Sequence, residues 1–178
     1  MELSKSFAII GAGNGGQAFA AYLSLKGHSV KIYDVSQKTV DILQEKGGVL
    51  LEGNSDVVGF GKIMLASTDL KEVIHGADIV MVVLPSIYHK DMAEKMAPYL
   101  ENGQYVLLNP VAGLGIVEVQ NALKAKGCTA KIHLGCTSTL LFACRAVEVG
   151  RVAVSGQKES FSAAALPASE NQIFADVF

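Results

Sequence analysis

No tryptophan occurs in this sequence, and no apolar run approaches the ~18 residues that a membrane-spanning helix needs. Residues 1–6 carry no long apolar signal region, so the expected setting is cytoplasmic, with no membrane partner. Cysteine is scarce. Cys128, Cys136 and Cys144 show no CxxC spacing, and an odd count without metal spacing reads as reduced thiols that serve as small buried hydrophobes; no metal site is expected. Charge is scarce too, at 18% of residues with a net charge of −2, which gives no electrostatic reason to expect nucleic acid or an anionic membrane surface. Against that stands 50% apolar content, which excludes disorder and demands deep burial.

At 178 residues the chain holds one domain with a full core. Eighteen glycines and few aromatics suit an α/β protein with many tight turns. Short β-rich runs alternate with amphipathic stretches, the pattern of a parallel sheet with crossover helices. Strands are predicted at residues 7–10, 30–33, 78–84, 105–108 and 132–135, with the run DIVMVVL at the sheet centre, covered on both faces. Helices are predicted over residues 14–26, from Ser36 to about Lys46, after Asp69 with Glu72 in capping-box position, after Ser86 with Tyr88, Met92, Met96 and Leu100 buried, and over residues 116–126. Residues 49–52 and 62–66 read as a hairpin, or as a third strand with an antiparallel neighbour. Residues 140–149 and 151–155 read as two adjacent strands with no helix between them, and the composition from Ser160 onward reads as helical. The expected fold is therefore a Rossmann-type doubly wound, mainly parallel sheet with helices on both faces and an antiparallel extension near the C-terminus. The expected division is a dinucleotide-binding domain over residues 1–158 and a helical segment over 159–178.

The segment GAGNGG satisfies GxGxxG with Gly11, Gly13 and Gly16. Alone it is weak in a glycine-rich chain, but it follows a predicted strand, opens a predicted helix, and has Asp34 at the end of the next strand. Gly11 permits the tight turn, Gly13 lets a pyrophosphate approach the backbone, and Gly16 lets the helix lie close to the strand. The diphosphate would then sit over the helix N-terminus near Asn14. A carboxylate at Asp34 accepts from both ribose hydroxyls and repels a 2′-phosphate, which favours NAD, while Lys38 nearby keeps NADP open. Flavin or S-adenosylmethionine in a similar loop is the rival. Leu84-Pro85, Ser86 and the turn at Asn109-Pro110 all fall at carboxyl ends of strands, the edge where such sheets bind ligands.

The stretches GAGNGGQAFAAYLSLKGHSVKIYD, VVLPSIYH, LLNPVAGLG and CTSTLLFACR, in that order, resemble the N-terminal domain of the opine dehydrogenases, a family that includes octopine and nopaline dehydrogenases. The resemblance implies reductive condensation: an amino acid and a 2-oxo acid form an imine, which NAD(P)H reduces to a secondary amine dicarboxylate. It implies cofactor contacts at Gly11, Gly13, Asn14, Gly15, Gly16, Asp34, Leu84 and Pro85, and substrate-side positions at Thr137, Ser138 and Cys144. It also implies a second, all-helical domain that supplies the catalytic histidine and substrate-carboxylate contacts, which makes this chain alone inactive. The apolar residues Ile173, Phe174, Val177 and Phe178 would then face a second domain or, in a homo-oligomer, another copy.

No catalytic residue is assigned. His28 and His75 read as solvated, His133 as a satisfied strand residue, and His89 as the histidine nearest the cofactor edge; Arg145 could hold a carboxylate. Two alternatives remain: a stand-alone NAD(H)-binding or sensing module without catalysis, and the cofactor domain of a ketopantoate reductase-like dehydrogenase.

Overall fold

The apolar run after Ser6 forms β1 (Ser6–Ile10), the strand from which the sheet grows in both directions; a computed structural model describes residues 4–177. Its side chains alternate, with Phe7 and Ile9 in one core and Ala8 and Ile10 in the other, so both faces are covered. On one side lie β2 (Ser29–Tyr33) and β5 (Leu65–Ser67); on the other lie β6 (Ile79–Val82), β7 (Tyr105–Leu108) and β8 (His133–Thr137), all parallel. DIVMVVL supplies β6, whose residues are all buried between β1 and β7, as predicted.

Right-handed crossovers running in opposite directions from β1 and β6 put their helices on opposite faces. Helices α1 (Asn14–Leu25) and α2 (Gln37–Lys46) pack on the Phe7 face; α3 (Leu70–Ile74), α4 (His89–Met96) and α5 (Gly115–Ala125) pack on the Ala8 face. The strand order reverses between β1 and β6, which makes the crevice above their carboxyl ends the ligand-binding edge of such a sheet.

A second sheet departs from expectation. Only part of the predicted hairpin forms: β3 (Gly48–Gly53) pairs with β4 (Gly59–Lys62), while the run read over residues 62–66 ends β4 and starts β5 of the main sheet. The predicted adjacent strands form as β9 (Phe142–Glu148) and β10 (Arg151–Gln157). Both pairs join in the order β4-β3-β10-β9 instead of extending the main sheet. Val49, Leu51, Phe142, Val152 and Val154 face α1, so α1 is buried between two sheets over Gly15–Ala21. That explains its small, nearly all-round apolar sequence, NGGQAFAAYLSL.

The helical expectation from Ser160 fails in part. Residues Ala163–Leu166 form β11, antiparallel to β8 at the edge of the main sheet, and α6 (Asn171–Ala175) follows. Three alanines favour helix locally, but pairing with the open edge of β8 overrides that weak preference. The expected exposed C-terminal end is also corrected: Phe174 is buried against Tyr105, while Ile173 stays exposed and Phe178 lies outside the described residues. Two local expectations change. Ser86–Tyr88 is a 3-10 turn in which Ser86 caps nothing and Tyr88 is exposed. Asp69 caps α3 through the Lys71 N–H, but Glu72 accepts from Ser67 Oγ instead of closing a capping box.

Candidate functional site

At the carboxyl end of β1 the chain turns through Gly11, Ala12 and Gly13 into α1. Gly11 adopts φ +108°, and a Cβ there would lie 2.6 Å from Leu84 Cδ2 and 2.8 Å from the Val83 carbonyl. The turn thus packs directly on the end of β6. A Cβ at Gly16 would stand 1.7 Å from the Gly11 carbonyl oxygen, so the helix approaches the turn as closely as glycine allows. At Gly15 a Cβ would press on Val83 at 3.0 Å and on Leu140 at 3.4 Å.

Gly13 is different. Its backbone (φ −74°, ψ −165°) is open to any residue, and a Cβ there would meet nothing within 4 Å. The fold does not require glycine at this position, and the space above it is free. No side chain caps the N-terminus of α1, whose first N–H groups and dipole are therefore available to an anion. Together these features fit a dinucleotide diphosphate.

Asp34 follows β2 at the same edge. Its Oδ2 accepts the Ala12 N–H at 2.9 Å and its Oδ1 accepts the Ser36 N–H at 2.9 Å, so the carboxylate is fixed in position and still has lone pairs to offer. Val35 beside it is 73% exposed, an apolar side chain on the crevice rim. Leu84 and Pro85 end β6 across from Gly11.

The substrate-side residues are not brought together. Thr137 is buried and donates to Asn109 Oδ1 at 2.8 Å. Ser138 turns to β11, where its Oγ accepts the Ser162 N–H at 3.2 Å. Cys144 alone reaches the glycine loop, with its Sγ 3.5 Å from the Asn14 carbonyl, and burial pushes its thiol pKa up.

None of the histidines serves this edge. His28 accepts the Lys5 N–H and packs on Phe7, so it is less solvated than expected. His75 pairs with Glu101 on the surface, and His133 pairs with Glu170 and stacks on Tyr105. His89 is 1% exposed; its Nε2–H donates to the Leu84 carbonyl at 2.9 Å, and burial lowers its pKa. It holds the β6 turn from beneath and does not open into the crevice. Arg145 is exposed on β9 and pairs with no carboxylate among the described residues.

Gln17 was not anticipated. Its side chain is buried beneath the glycine loop and contacts both Ala12 and the turn at Gly150. The available signal was a lone amide in an otherwise small and apolar helix, where a buried polar side chain demands partners.

Comparison with known proteins agrees with this geometry. The family described as NAD-dependent glycerol-3-phosphate dehydrogenase N-terminus matches residues 6–126. An opine dehydrogenase of Arthrobacter sp. (strain 1C) is 36% identical over 167 residues, covering 94% of this chain and 46% of the relative. A solved octopine dehydrogenase with NADH and L-arginine superposes with a TM-score of 0.81 at 21% identity, over 91% of this chain and 42% of the other. A ketopantoate reductase of Ralstonia eutropha JMP134 superposes with a TM-score of 0.69 at 23% identity, over 97% and 52%. The chain thus spans about half the length of the proteins it matches. The resemblance seen in the motifs extends to nearly the whole chain, and the chain belongs to the NAD-dependent glycerol-3-phosphate dehydrogenase N-terminus family as an NAD(P)-binding domain of the opine dehydrogenase-like kind.

Proposed function

We propose that this chain binds NAD(H) across the β1–β6 crevice and acts as the cofactor half of an enzyme that condenses an amino acid with a 2-oxo acid reductively. The observation that carries the reading is the free space over Gly13, where the fold tolerates a side chain but a pyrophosphate would not. In this reading Gly11, Gly13, Asn14, Gly15 and Gly16 form the diphosphate cradle and Asp34 takes the adenosine ribose. Val35 offers apolar surface to the adenine, and Leu84 and Pro85 bound the nicotinamide side. When bound, NADH supplies the hydride that reduces the imine carbon.

Cys144 and Ser138 are the substrate-side positions in this proposal, while Thr137 acts by holding Asn109. The 36% identity to an opine dehydrogenase supports this substrate class over the ketopantoate alternative. The three cysteines are free thiols, which accords with a cytoplasmic setting. No helix among the described residues is long and apolar enough to cross a membrane. Exposed Ile173 is the remaining apolar contact for a second copy of the chain.

The engagement of every histidine away from the glycine loop favours a second reading for the chain by itself: it binds cofactor without turnover. Titration calorimetry with NADH and NADPH, followed by an assay with an amino acid and a 2-oxo acid, separates the two. Saturable NADH binding supports the cofactor site, and turnover by the 178 residues alone would remove the binding-only reading. Absence of binding by either nucleotide would reject the site.

A further inference from the structure

Gln17 sits on the first turn of α1 with its side chain 2% exposed. Its Nε2 donates to the Ala12 carbonyl at 2.7 Å, and its Oε1 accepts the Gly150 N–H at 2.7 Å. A carbonyl can only accept and an amide N–H can only donate, so these partners fix the orientation of the side-chain amide. Gly150 forms the turn between β9 and β10, and that turn is itself anchored: its carbonyl accepts the Leu50 N–H at 2.9 Å, and Lys46 Nζ donates to the Val149 carbonyl at 2.8 Å. Three residues earlier on the same face of α1, Asn14 Oδ1 accepts the Ala146 N–H of β9 at 2.9 Å.

Both peptide groups of Ala12 are therefore held by side chains, the N–H by Asp34 and the carbonyl by Gln17. The Ala12–Gly13 peptide is trans, so its carbonyl and the Gly13 N–H point in opposite directions. With the carbonyl tied down to Gln17, the Gly13 N–H faces away from the helix interior.

We propose that Gln17 is a positioning residue for the cofactor pyrophosphate: it sets the Ala12–Gly13 peptide plane so that the Gly13 N–H meets the diphosphate, and it references that plane to the second sheet through Gly150. The inference rests on the NAD(H) reading of the glycine loop. The second sheet is then part of the binding apparatus, although it supplies no main-sheet strand. A buried amide that only filled space would stabilise the fold without discriminating between ligands. A positioning amide acts on ligands that carry a diphosphate and spares those that lack one.

The test compares the parent chain with Gln17→Met, Gln17→Glu and, as a control in the core of the second sheet, Val152→Ala. Each is melted by circular dichroism and titrated with NADH, ADP and adenosine. Gln17→Met should weaken NADH and ADP about tenfold and adenosine by less than about twofold, the loss expected for one well-made hydrogen bond. Gln17→Glu, titrated at a pH where that carboxyl is ionised, can still accept from Gly150 but cannot donate to Ala12, and it should show the same selective loss. Val152→Ala should lower Tm while leaving the ratio of NADH to adenosine affinity unchanged. Parent-like NADH affinity in either Gln17 variant would overturn the proposal. So would equal losses for ADP and adenosine, or the same selective loss in Val152→Ala. Failure of the underlying NAD(H) reading is distinguishable, because it appears in the parent as no saturable binding of NADH or ADP and removes both claims together.

Discussion

Asp34 Oδ2 and the Ala12 N–H lie 2.9 Å apart, so the carboxylate that follows β2 is fastened to the loop that follows β1. The second oxygen is held by the Ser36 N–H. Such a carboxylate is preorganised: under the proposed function it would give up no rotamer freedom on receiving a ribose, and its charge would oppose a 2′-phosphate. Asp34→Ala should weaken NADH binding about tenfold or more, since charge-assisted hydrogen bonds are the strong ones. NADPH should weaken less, so the preference between the two narrows. Calorimetric titration of parent and variant with each nucleotide checks this. Tighter NADPH than NADH binding by the parent would contradict the role given to Asp34.

Gly13 and Gly16 carry opposite expectations although both belong to one motif. At Gly13 a side chain meets open space, so Gly13→Val should melt within a few degrees of the parent yet lose saturable NADH binding. At Gly16 a Cβ would stand 1.7 Å from the Gly11 carbonyl oxygen, so even Gly16→Ala must push the helix off the turn. That variant should lose about 3 kcal/mol of stability, the upper part of the usual overpacking range. Thermal melts alongside NADH titration separate the two effects. A Gly13→Val chain that binds NADH normally would remove the pyrophosphate site.

The parts legible in the sequence are those whose physics is local. A strand, a glycine turn, a helix start and a terminal acid follow one another within the first 34 residues, and each demands a particular residue type at a particular spacing. The central strand was equally clear, because burial on both faces leaves an unbroken apolar run. The second sheet was only half legible. The β9–β10 pair could be read as adjacent strands, the β3–β4 hairpin only with its second arm displaced to 62–66, and β3 meets β10 across a long stretch of chain that no periodicity records. Gln17 was missed for the same reason, since its partner Gly150 is distant in sequence. Thr137 was singled out only by resemblance, beyond a strand read as ending at Gly135, and its place at the end of β8, buried against Asn109, depends on packing that spacing does not encode. At β11 the local alanine preference pointed the wrong way, and the free edge of β8 decided the outcome.

Phe174 ties the C-terminal segment to the domain. Its ring stands edge-on to Tyr105 at 5.4 Å and lies so close to Gly135 that a Cβ there would be 2.5 Å from the ring. A five-residue helix such as α6 has little stability of its own, so its position depends on tertiary contacts, this ring and the Ala165 N–H that Asn171 Oδ1 accepts at 2.7 Å. Phe174→Ala should cost about 3 kcal/mol, the low end for a buried phenylalanine, because an apolar cavity of about 450 Å³ already adjoins the ring and offers few atoms to lose. Limited proteolysis should then cut between residues 167 and 177 before the rest of the chain. A variant as resistant as the parent would show that α6 is held by something else.

His89 gives the molecule a predictable response to acid. Burial lowers its pKa from the ordinary 6.5, opposed by its hydrogen bond to the Leu84 carbonyl and by the nearby Glu118 charge. Its Nδ1 has no partner among the described residues, so a proton added there would be buried without compensation. The folded state therefore binds this proton less readily than the unfolded state. The resulting stability is fully present above about pH 6.5 and is lost as pH falls from there toward the folded pKa, by up to about 1.4 kcal/mol per pH unit. Glu52, Asp56, Glu101 and Glu148 are all shifted downward by ion-pair partners, so their losses come at lower pH, and comparing parent with His89→Gln between pH 7.5 and 5 separates this histidine from the other three. The parent should lose Tm across that window. His89→Gln can keep a donor to Leu84 but cannot take up a proton, and it should lose markedly less. Parallel Tm curves for the two chains would mean that the acid response originates at another group.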